Sequence, residues 1–315
     1  MQAAALTFST LNLHNFTAPP FASYEFDNIY TQAQWLQKTD WLARVLQHSK
    51  PDVLALQEVF SLSELSQILQ AQGFQHVVSV GQPELVDQHF FRRPVVALAS
   101  RFPVLAVAEV PVPSVAAALG MGHVQFSRPP LRVLLQLPEI GPCQCYVVHL
   151  KSRRAFEVPA DAVLVGQHLP SWAATVQRGH ETALLLEAIL QQRQCDGYPV
   201  VLLGDLNDEL SSPSLQLLQQ PQQLGRRPFR LQDSWQLWLD APAQRPASHY
   251  YGARGSVLDY ILLSDEFDAR QSKAIAAVSA VEVLDQHLRQ PDFARDGYSS
   301  DHAIVSVRLK LSNPA

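Results

Sequence analysis

Short apolar runs that end in a polar side chain recur along this chain, and they restrict the folds open to it more than any other feature. Val53–Leu56 runs into Gln57 and Glu58, and Val200–Leu203 runs through a glycine into Asp205. Short runs rich in branched aliphatic residues predict buried strands. Because an acidic side chain is rarely buried without a partner, each of these strand ends is a candidate site.

Segments with helical periodicity lie between the strands. The predicted helices cover residues 31–47, 61–73 and 171–192, and the predicted strands cover 5–11, 53–57, 75–80, 95–100, 104–110, 131–137, 145–149, 200–203, 258–263, 274–284 and 303–311. Ser61 and Glu64 match a capping box, and Ser171 is predicted to cap the third helix. A βαβ-like start followed by hairpins occurs twice, which predicts two mixed sheets packed face to face with helices outside.

The same repetition predicts one domain over residues 1–315, built from two similar halves at about 1–150 and 151–315. The formal net charge of −5 gives no general attraction to nucleic acid or to anionic membranes, although a local basic groove is compatible with it. Three cysteines cannot build a disulfide framework and lack zinc-site spacing, which favours a reducing compartment.

Two further absences set expectations about location. No apolar run is long enough to span a membrane, and the N-terminus lacks the basic-then-apolar pattern of a signal peptide. We therefore expect a cytoplasmic protein without integral membrane association. Secretion stays open if a leader peptide preceded this sequence, and the oligomeric state is left open.

Polar residues at six strand ends are the candidates for a functional site. They are Asn12, Glu58, His149, Asp205 with Asn207, Asp259, and Asp301 with His302. Asn12 and Glu58 offer the oxygen ligands that Mg²⁺ takes, although an Asn also caps turns and a Glu also ends surface strands. Asp259 interrupts an apolar strand, and a buried Asp needs a donor, for which the imidazole of His302 is suitable.

Two segments have the chemistry of a phosphate site. Asp205 and Asn207 lie two residues apart and can face the same side, where they would orient a water and donate to a phosphate oxygen. His149 follows an apolar strand and precedes Lys151 and two arginines, a cluster that would bind an anion. A simple turn and a core histidine beside a solvated basic loop are the alternatives.

In this order, the six segments resemble the endonuclease/exonuclease/phosphatase superfamily, which includes DNase I, exonuclease III, neutral sphingomyelinases and inositol polyphosphate 5-phosphatases. The matching motifs extend from Asn12 to His302, nearly the whole chain. The resemblance implies an α/β (α+β) fold of the DNase I type, a four-layer α/β/β/α sandwich of two mixed β-sheets flanked by helices. It also implies a metal-dependent phosphoric ester hydrolase.

The resemblance assigns roles to the candidate residues. Asn12 and Glu58 would be ligands of Mg²⁺, with Mn²⁺ as the alternative ion, and Asp301 would complete or support that shell. Asp205 and Asn207 would position the attacking water and the phosphate.

The other assignments concern the two histidines. Asp259 and His302 would activate or balance the water, and His149 would stabilise the developing charge or protonate the leaving oxygen. The Glu that supports this histidine in the DNase I branch has no counterpart in residues 94–100, and Arg93 would contact phosphate instead.

The predicted function is Mg²⁺-dependent hydrolysis by a nuclease-type phosphodiesterase, with nucleic acid as the candidate substrate. Asn207, His149 and Lys151 would hold the phosphate oxygens, and either Asp205 or the Asp259–His302 pair would take the proton of water. Other cations that could contact nucleic acid are Arg92, Arg93, Arg153, Arg154, Arg226, Arg227 and Arg230.

Three alternatives stay open. A phosphatase would use the same site, and a phospholipid or sphingomyelin phosphodiesterase would use the apolar segment 112–121 against lipid. A non-catalytic binding module would keep only the fold. The sequence leaves open endonuclease or exonuclease action and the number of metal ions.

Overall fold

Two six-stranded mixed sheets dominate the computed structural model, which describes residues 5–159, 166, 168–225 and 227–312. The strands are β1 (Ala5–Phe16), β2 (Ala22–Ser23), β3 (Val53–Val59), β4 (His76–Ser79), β5 (Glu84–Val86), β6 (Phe90–Arg93), β7 (Val95–Ser100), β8 (Val104–Glu109), β9 (Leu131–Leu137), β10 (Gly141–His149), β11 (Val200–Asp205), β12 (Gln222–Leu224), β13 (Arg227–Phe229), β14 (Leu231–Asp233), β15 (His249–Tyr251), β16 (Arg254–Ser256), β17 (Asp259–Ser264), β18 (Ala276–Leu284) and β19 (Ile304–Leu311).

The α-helices are α1 (Gln32–Ser49), α2 (Leu62–Ala71), α3 (Val115–Ala118), α4 (His168–Asp196), α5 (Ser234–Leu237), α6 (Gln286–Arg289) and α7 (Phe293–Asp296). Two 3₁₀ helices cover Gln216–Gln219 and Asp265–Phe267. Within the described residues, no helix is long and apolar enough to cross a membrane.

The two large sheets have matching topologies. The first has the order β18-β19-β1-β3-β7-β4, and the second has the order β14-β17-β11-β10-β9-β8. In each sheet the central pair is parallel, β1 with β3 and β10 with β11, and the other neighbours are antiparallel. Because the carboxyl ends of parallel strands meet at one edge, each central pair presents two strand ends together.

The buried apolar side chains form layers between and outside the sheets. One cluster joins the facing surfaces of the two sheets and includes Phe8 and Leu98 of the first sheet and Val133 and Leu203 of the second. A second cluster packs α1 and α2 on the outer face of the first sheet, and a third packs α4 on the outer face of the second. The predicted four-layer α/β/β/α sandwich is confirmed.

The division of the chain between the sheets differs from the predicted halves. The first sheet takes the strands up to Ser100 and those from Ala276 onward, whereas the second takes the strands from Val104 to Ser264. The sheets do not divide at residue 150, because β19 pairs antiparallel with β1, with Thr10 opposite Val305, and returns the C-terminus to the first sheet. The single domain stays a prediction.

Helix starts also differ from the sequence prediction. The capping box lies at α1, where the Thr31 hydroxyl accepts from Gln34 N and the Gln34 side chain accepts from Thr31 N. Ser61 precedes α2 but makes no side-chain cap, because its hydroxyl accepts instead from Ala18 N at 2.8 Å. Ser171 lies inside α4 rather than before it. The Ser61 contact ties the chain beyond β1 to the end of β3.

Candidate active site

The ends of the two central parallel pairs meet across the sandwich. Asn12 is on β1 and Glu58 on β3, while His149 and Asp205 end β10 and β11. The Asn12 amide donates to Asp205 Oδ2 at 3.1 Å and to Glu58 Oε1 at 3.3 Å. His149 Nε2 lies 3.5 Å from Asp205 Oδ2 and 4.0 Å from Glu58 Oε1. Four candidates that are distant in sequence therefore form one contact cluster.

A break in strand pairing directs Glu58 into this cluster. Between the Asn12–Gln57 and Phe16–Val59 pairs, β1 has more residues than β3, and Glu58 adopts a left-handed φ of 58°. Such a backbone costs a non-glycine residue about 1–3 kcal/mol and persists only where contacts hold it. Asn15 N donates to Glu58 Oε2 at 2.9 Å, which supplies one such contact.

Gly204 allows the Asp205 end of β11 to approach β10. It has a φ of 149°, and a Cβ atom there would lie 2.0 Å from Val148 O, so a side chain would force the strands apart. The following turn is fixed from both sides of Asn207. Its backbone N donates to Asp205 Oδ1 at 2.8 Å, and its side-chain amide donates to Leu150 O at 3.0 Å.

His302 reaches the cluster from the loop before β19. Its Nδ1 lies 2.8 Å from Asp259 Oδ2, so the predicted carboxylate–imidazole contact is present, and its Nε2 lies 3.9 Å from Asp205 Oδ2. The Ser300 hydroxyl accepts from His302 N at 2.9 Å and donates to Asn12 O at 2.6 Å. These contacts fix the ring relative to β1.

Asp301 lies at the more open side of the cluster, with its side chain about half exposed. One carboxylate oxygen is 3.7 Å from His14 Nδ1, and the other is 4.0 Å from His249 Nε2. Burial would raise its pKa, but His14, His302 and His249 outweigh burial and hold the pKa of Asp301 below its ordinary value. The group is therefore ionised and faces imidazoles on both sides.

Burial and like charge act on Asp205, which is almost fully buried. Burial raises the pKa of Asp205 to about 7, although His302 opposes the shift. For His302 burial alone would lower the pKa, but the carboxylates of Asp259 and Asp205 outweigh it and raise that pKa well above its ordinary value. The Asp205–His302 pair consequently holds a proton that it can exchange near neutral pH.

His149 has the opposite character. Burial, together with the positive charges of Arg128 and His302, holds the pKa of His149 well below its ordinary value. Its Nδ1 is buried and has no hydrogen-bond partner among the described residues. The lowered pKa makes His149 a neutral imidazole at pH 7.

A sequence comparison identifies the family. Residues 10–302 match the model of the Endonuclease/Exonuclease/phosphatase family. The chain belongs to this family. Its members are phosphoester hydrolases, so the chain is an enzyme of that class. No protein of curated function matches the sequence significantly.

Solved structures share the fold at low sequence identity. The human Nocturnin catalytic domain with bound sulfate has 17% identity and a TM-score of 0.63, covering 98% of this chain and 95% of that one. Humanized D. rerio TDP2 has 14% identity and a TM-score of 0.59, covering 97% and 98%. The 3′ phosphatase NExo from Neisseria, bound to a product DNA hairpin, has 18% identity and a TM-score of 0.55, covering 96% and 98%.

In this endonuclease/exonuclease/phosphatase chain the cluster forms the floor of a cleft of about 1140 Å³, called the site cleft below. Its lining includes Glu58, His149, Asp205, Asn207, Asp301 and His302 with the basic residues Arg128, Lys151, Arg153, Arg154 and Arg254 and the aromatic residues Tyr24, Phe156 and Tyr251. Lys151 is in the predicted place. Its Nζ donates to Arg154 O at 2.9 Å and lies 4.7 Å from the centre of the Phe156 ring.

The structure does not bring Arg93 to the site cleft. Arg93 pairs with Glu84 across the β5–β6 hairpin, its Nε lies 3.1 Å from Glu84 Oε2, and it does not line the site cleft. Arg230 is bound to Asp265 and lines a different cavity. Arg226 and the side chain of Arg227 lie outside the described residues.

Sequence reasoning missed several residues of the site cleft, above all Arg128 and His249. Arg128 donates to Leu150 O at 3.3 Å, beside His149. His249 begins the β15–β16 hairpin, and its ring centre is 4.9 Å from that of His302. Neither residue follows an apolar run, so the strand-end pattern could not find them.

The donor set fits a divalent cation. Glu58, Asp205, Asp259 and Asp301 lie around the cluster, and among the described residues none has a Lys or Arg within 4.0 Å. Their nearest charge partners are imidazoles. Gathering carboxylates in a buried place is unfavourable unless protons or a cation neutralise them. Oxygen ligands from Asn12 and Glu58 match what Mg²⁺ and Mn²⁺ take.

Proposed function

We propose that this protein is a divalent-metal-dependent phosphodiesterase of the nuclease type, with Mg²⁺ as the preferred ion and Mn²⁺ as the alternative. The observation that carries the proposal is the contact cluster itself. The Asn12 amide lies within hydrogen-bond reach of both Glu58 and Asp205, and an imidazole lies on either side of Asp205. This arrangement offers a cation site, a proton acceptor and two nitrogen donors within one cleft.

Asn12 and Glu58 would hold the metal, with Asp301 completing or supporting its shell. A bound divalent ion would neutralise charge on the phosphate and on the leaving oxygen. The fixed backbone of the chain prepares these ligands, because His14 N donates to Asn12 Oδ1 at 3.0 Å and Asn15 N donates to Glu58 Oε2. A preformed shell costs little reorganisation when the ion binds.

Asp205 is the group we assign to take the proton of the attacking water. Its pKa, raised by burial to about 7, lies near neutral pH, where a general base is most effective. The Asp259–His302 pair is the alternative base. In our assignment His302 instead keeps its proton, because Asp259 and Asp205 raise its pKa in spite of burial, and its positive charge balances the reacting phosphate.

Asn207, His149 and Lys151 are assigned to the phosphate oxygens, whose charge must be stabilised as the bond breaks. His149 Nε2 faces the Asp205 and Glu58 carboxylates, so a neutral ring with its hydrogen on Nε2 can donate in that direction. Burial, Arg128 and His302 lower the pKa of His149, which disfavours a role as a general acid that is already protonated before the reaction.

A nucleic-acid substrate is favoured by the lining of the site cleft. Cations next to exposed aromatic rings provide backbone contacts and base stacking. Arg128, Lys151 and Arg254 supply the first, while Phe156 and Tyr251 supply the second, the Tyr251 side chain being 85% exposed. The NExo relative, a 3′ phosphatase bound to a DNA hairpin, is consistent with this choice.

A phospholipid or sphingomyelin phosphodiesterase is the second candidate. It is favoured by Leu119, which is 69% exposed beside α3, and by Val115 on the same segment. Ala116 and Val124 of this region pack against Leu184 of α4, so part of the segment is structural. A phosphatase would use the same cluster without the extended cleft.

The proposal is tested by measuring hydrolysis with Mg²⁺, with Mn²⁺ and after chelation, on plasmid DNA, single-stranded DNA, RNA, sphingomyelin and inositol phosphates. We expect cleavage of nucleic acid that requires the divalent ion and that is lost in Asp205→Asn. Metal-independent activity, or full activity of Asp205→Asn, would contradict the assigned site. Cleavage of sphingomyelin alone would reassign the substrate.

A further inference from the structure

His249, Asp301 and His302 form a second group of ligand atoms beside the Asn12–Glu58 position. One ligand atom from each of the three lies within 4.8 Å of the other two. The geometry points to a separate metal position here, one that takes a transition-metal ion of the Zn²⁺ type. This inference goes beyond the proposed function, since it concerns a different ion and does not depend on the substrate.

The separation between the ligand atoms suits a shared ion better than a direct contact. His249 Nε2 is 4.0 Å from Asp301 Oδ2, which is too long for a hydrogen bond. Two ligands about 2.1 Å from a tetrahedral Zn²⁺ are roughly 3.4 Å apart. This pair would therefore have to close by about 0.6 Å to hold such an ion, and all three ligand atoms already lie within 4.8 Å of one another.

Both imidazoles are held in place. His302 Nδ1 lies 2.8 Å from Asp259, which leaves Nε2 as the nitrogen open to a metal, the usual carboxylate–imidazole–metal arrangement. The backbone of His249 pairs with that of His302. Ser248, next to His249, accepts from Ala303 N at 2.7 Å through its carbonyl and from Asp259 N at 3.0 Å through its hydroxyl.

The two positions share Asp301, which the proposed function places at the edge of the Mg²⁺ shell, but they differ in their other ligands and in access. Asn12 and Glu58 present oxygens, which favour Mg²⁺, whereas two imidazoles and one carboxylate favour Zn²⁺ and its neighbours. His249 is 25% exposed and Asp301 47%, and both line the site cleft, so an ion can enter. An ion here would bind to the Nε2 lone pair of His302. The ring therefore cannot hold this ion and a proton on Nε2 at the same time.

The test measures binding of Zn²⁺ and Co²⁺ to the full chain by equilibrium dialysis in excess Mg²⁺, and the visible absorption of imidazole-bound Co²⁺. His249→Phe keeps a ring against His302 but removes the nitrogen, and we expect it to weaken Zn²⁺ binding by at least ~10-fold and to change the Co²⁺ spectrum. His249→Gln, which is smaller and polar, is the second variant, and circular dichroism checks that each is folded.

His48→Ala is the matched control, because His48 Nε2 lies 3.5 Å from Glu282 Oε1 in an exposed histidine–carboxylate pair away from the cleft. It is expected to bind Zn²⁺ like the wild type. The inference fails if a folded His249 variant binds as many ions with the same affinity and spectrum as the wild type. It also fails if His48→Ala loses as much binding as the His249 variants, since the ion would then be adventitious.

Discussion

His149 and His302 share one carboxylate but have opposite electrostatic properties. Both rings are almost fully buried, and the Nε2 atoms lie 3.5 and 3.9 Å from the same oxygen of Asp205. Nδ1 of His302 contacts Asp259, whereas Nδ1 of His149 is buried without a hydrogen-bond partner among the described residues. The pKa of His302 is raised, by carboxylates that outweigh burial, and that of His149 is lowered, by burial first.

The difference teaches that burial does not decide the charge of a histidine in this cleft. Desolvation lowers the pKa of both rings, and the group on the far nitrogen determines the net direction. One cluster can therefore keep a charged imidazole and a neutral donor on two sides of the same carboxylate. The predictions below remove or exchange the features that separate the two rings.

The largest expected effect is the loss of His302. His302→Ala removes the charge that balances Asp205, and we expect turnover to fall by ~10³-fold, within the usual range of acid–base effects of roughly 10²–10⁴-fold. His149→Ala removes a donor without an orienting partner and should lower turnover by ~10²-fold. Steady-state kinetics with a nucleic-acid substrate and Mg²⁺ compares the two.

Thermal unfolding of both variants serves as the control, because each substitution leaves a buried polar group without its partner. Equal losses of turnover, or a larger loss for His149→Ala, would break the proposed division of roles.

The second effect comes from making His302 resemble His149. Asp259→Asn keeps the shape of the side chain but removes the carboxylate that most strongly opposes the effect of burial on the pKa of His302. The pKa of His302 should therefore fall, while that of His149 should stay below its ordinary value. Turnover should drop by about 10²-fold. Imidazole resonances followed by NMR against pH measure both rings in one sample, and a His302 pKa that does not fall would remove Asp259 from the explanation.

The pairing of Asp259 with His302 was predictable because a buried Asp requires a donor and few side chains can serve. The strand-end positions of Glu58, His149 and Asp205 were predictable for a similar reason, whereas Asn12 lies inside β1, which continues to Phe16. The contact of these residues across two sheets required the family resemblance, since composition and periodicity give no order of strands.

Other features depend on the pairing of strands, which cannot be read from the sequence. Arg93 follows an aromatic pair and looked available for phosphate, but the β5–β6 register places it opposite Glu84. His249 belongs to a short hairpin and reaches the site only because its backbone pairs with His302. The pairing of β19 with β1 is a long-range contact that local patterns cannot specify.

The third expectation concerns stability against pH, where the two rings should act in opposite directions. The raised pKa of His302 means that its contribution is complete below 6.5 and is lost as pH rises through the folded-state value. The lowered pKa of His149 means that its contribution is present above 6.5 and is lost as pH falls.

Urea unfolding of the wild type, His302→Gln and His149→Gln over a range of pH measures these contributions. The difference between wild type and His302→Gln should shrink as pH rises above 6.5, and the difference between wild type and His149→Gln should shrink as pH falls below it. If the two differences in unfolding free energy change in the same direction with pH, the two rings do not contribute to stability in opposite directions.

The smallest expected effect comes from removing the positive charge of Arg128, which lowers the pKa of His149. Burial is the first cause of its lowered pKa, and the Arg128 guanidinium, which donates to Leu150 O, is the next. Arg128→Met removes that charge while keeping an unbranched side chain, so the pKa of His149 should rise but stay below its ordinary value, because burial remains its first cause. Arg93→Met, at a cation outside the site cleft, is the matched control and should leave the ring as it is. If Arg128→Met brings His149 to the ordinary value measured by NMR, a single cation rather than burial keeps the ring neutral, and the contrast with His302 then depends on Arg128 as much as on Asp259.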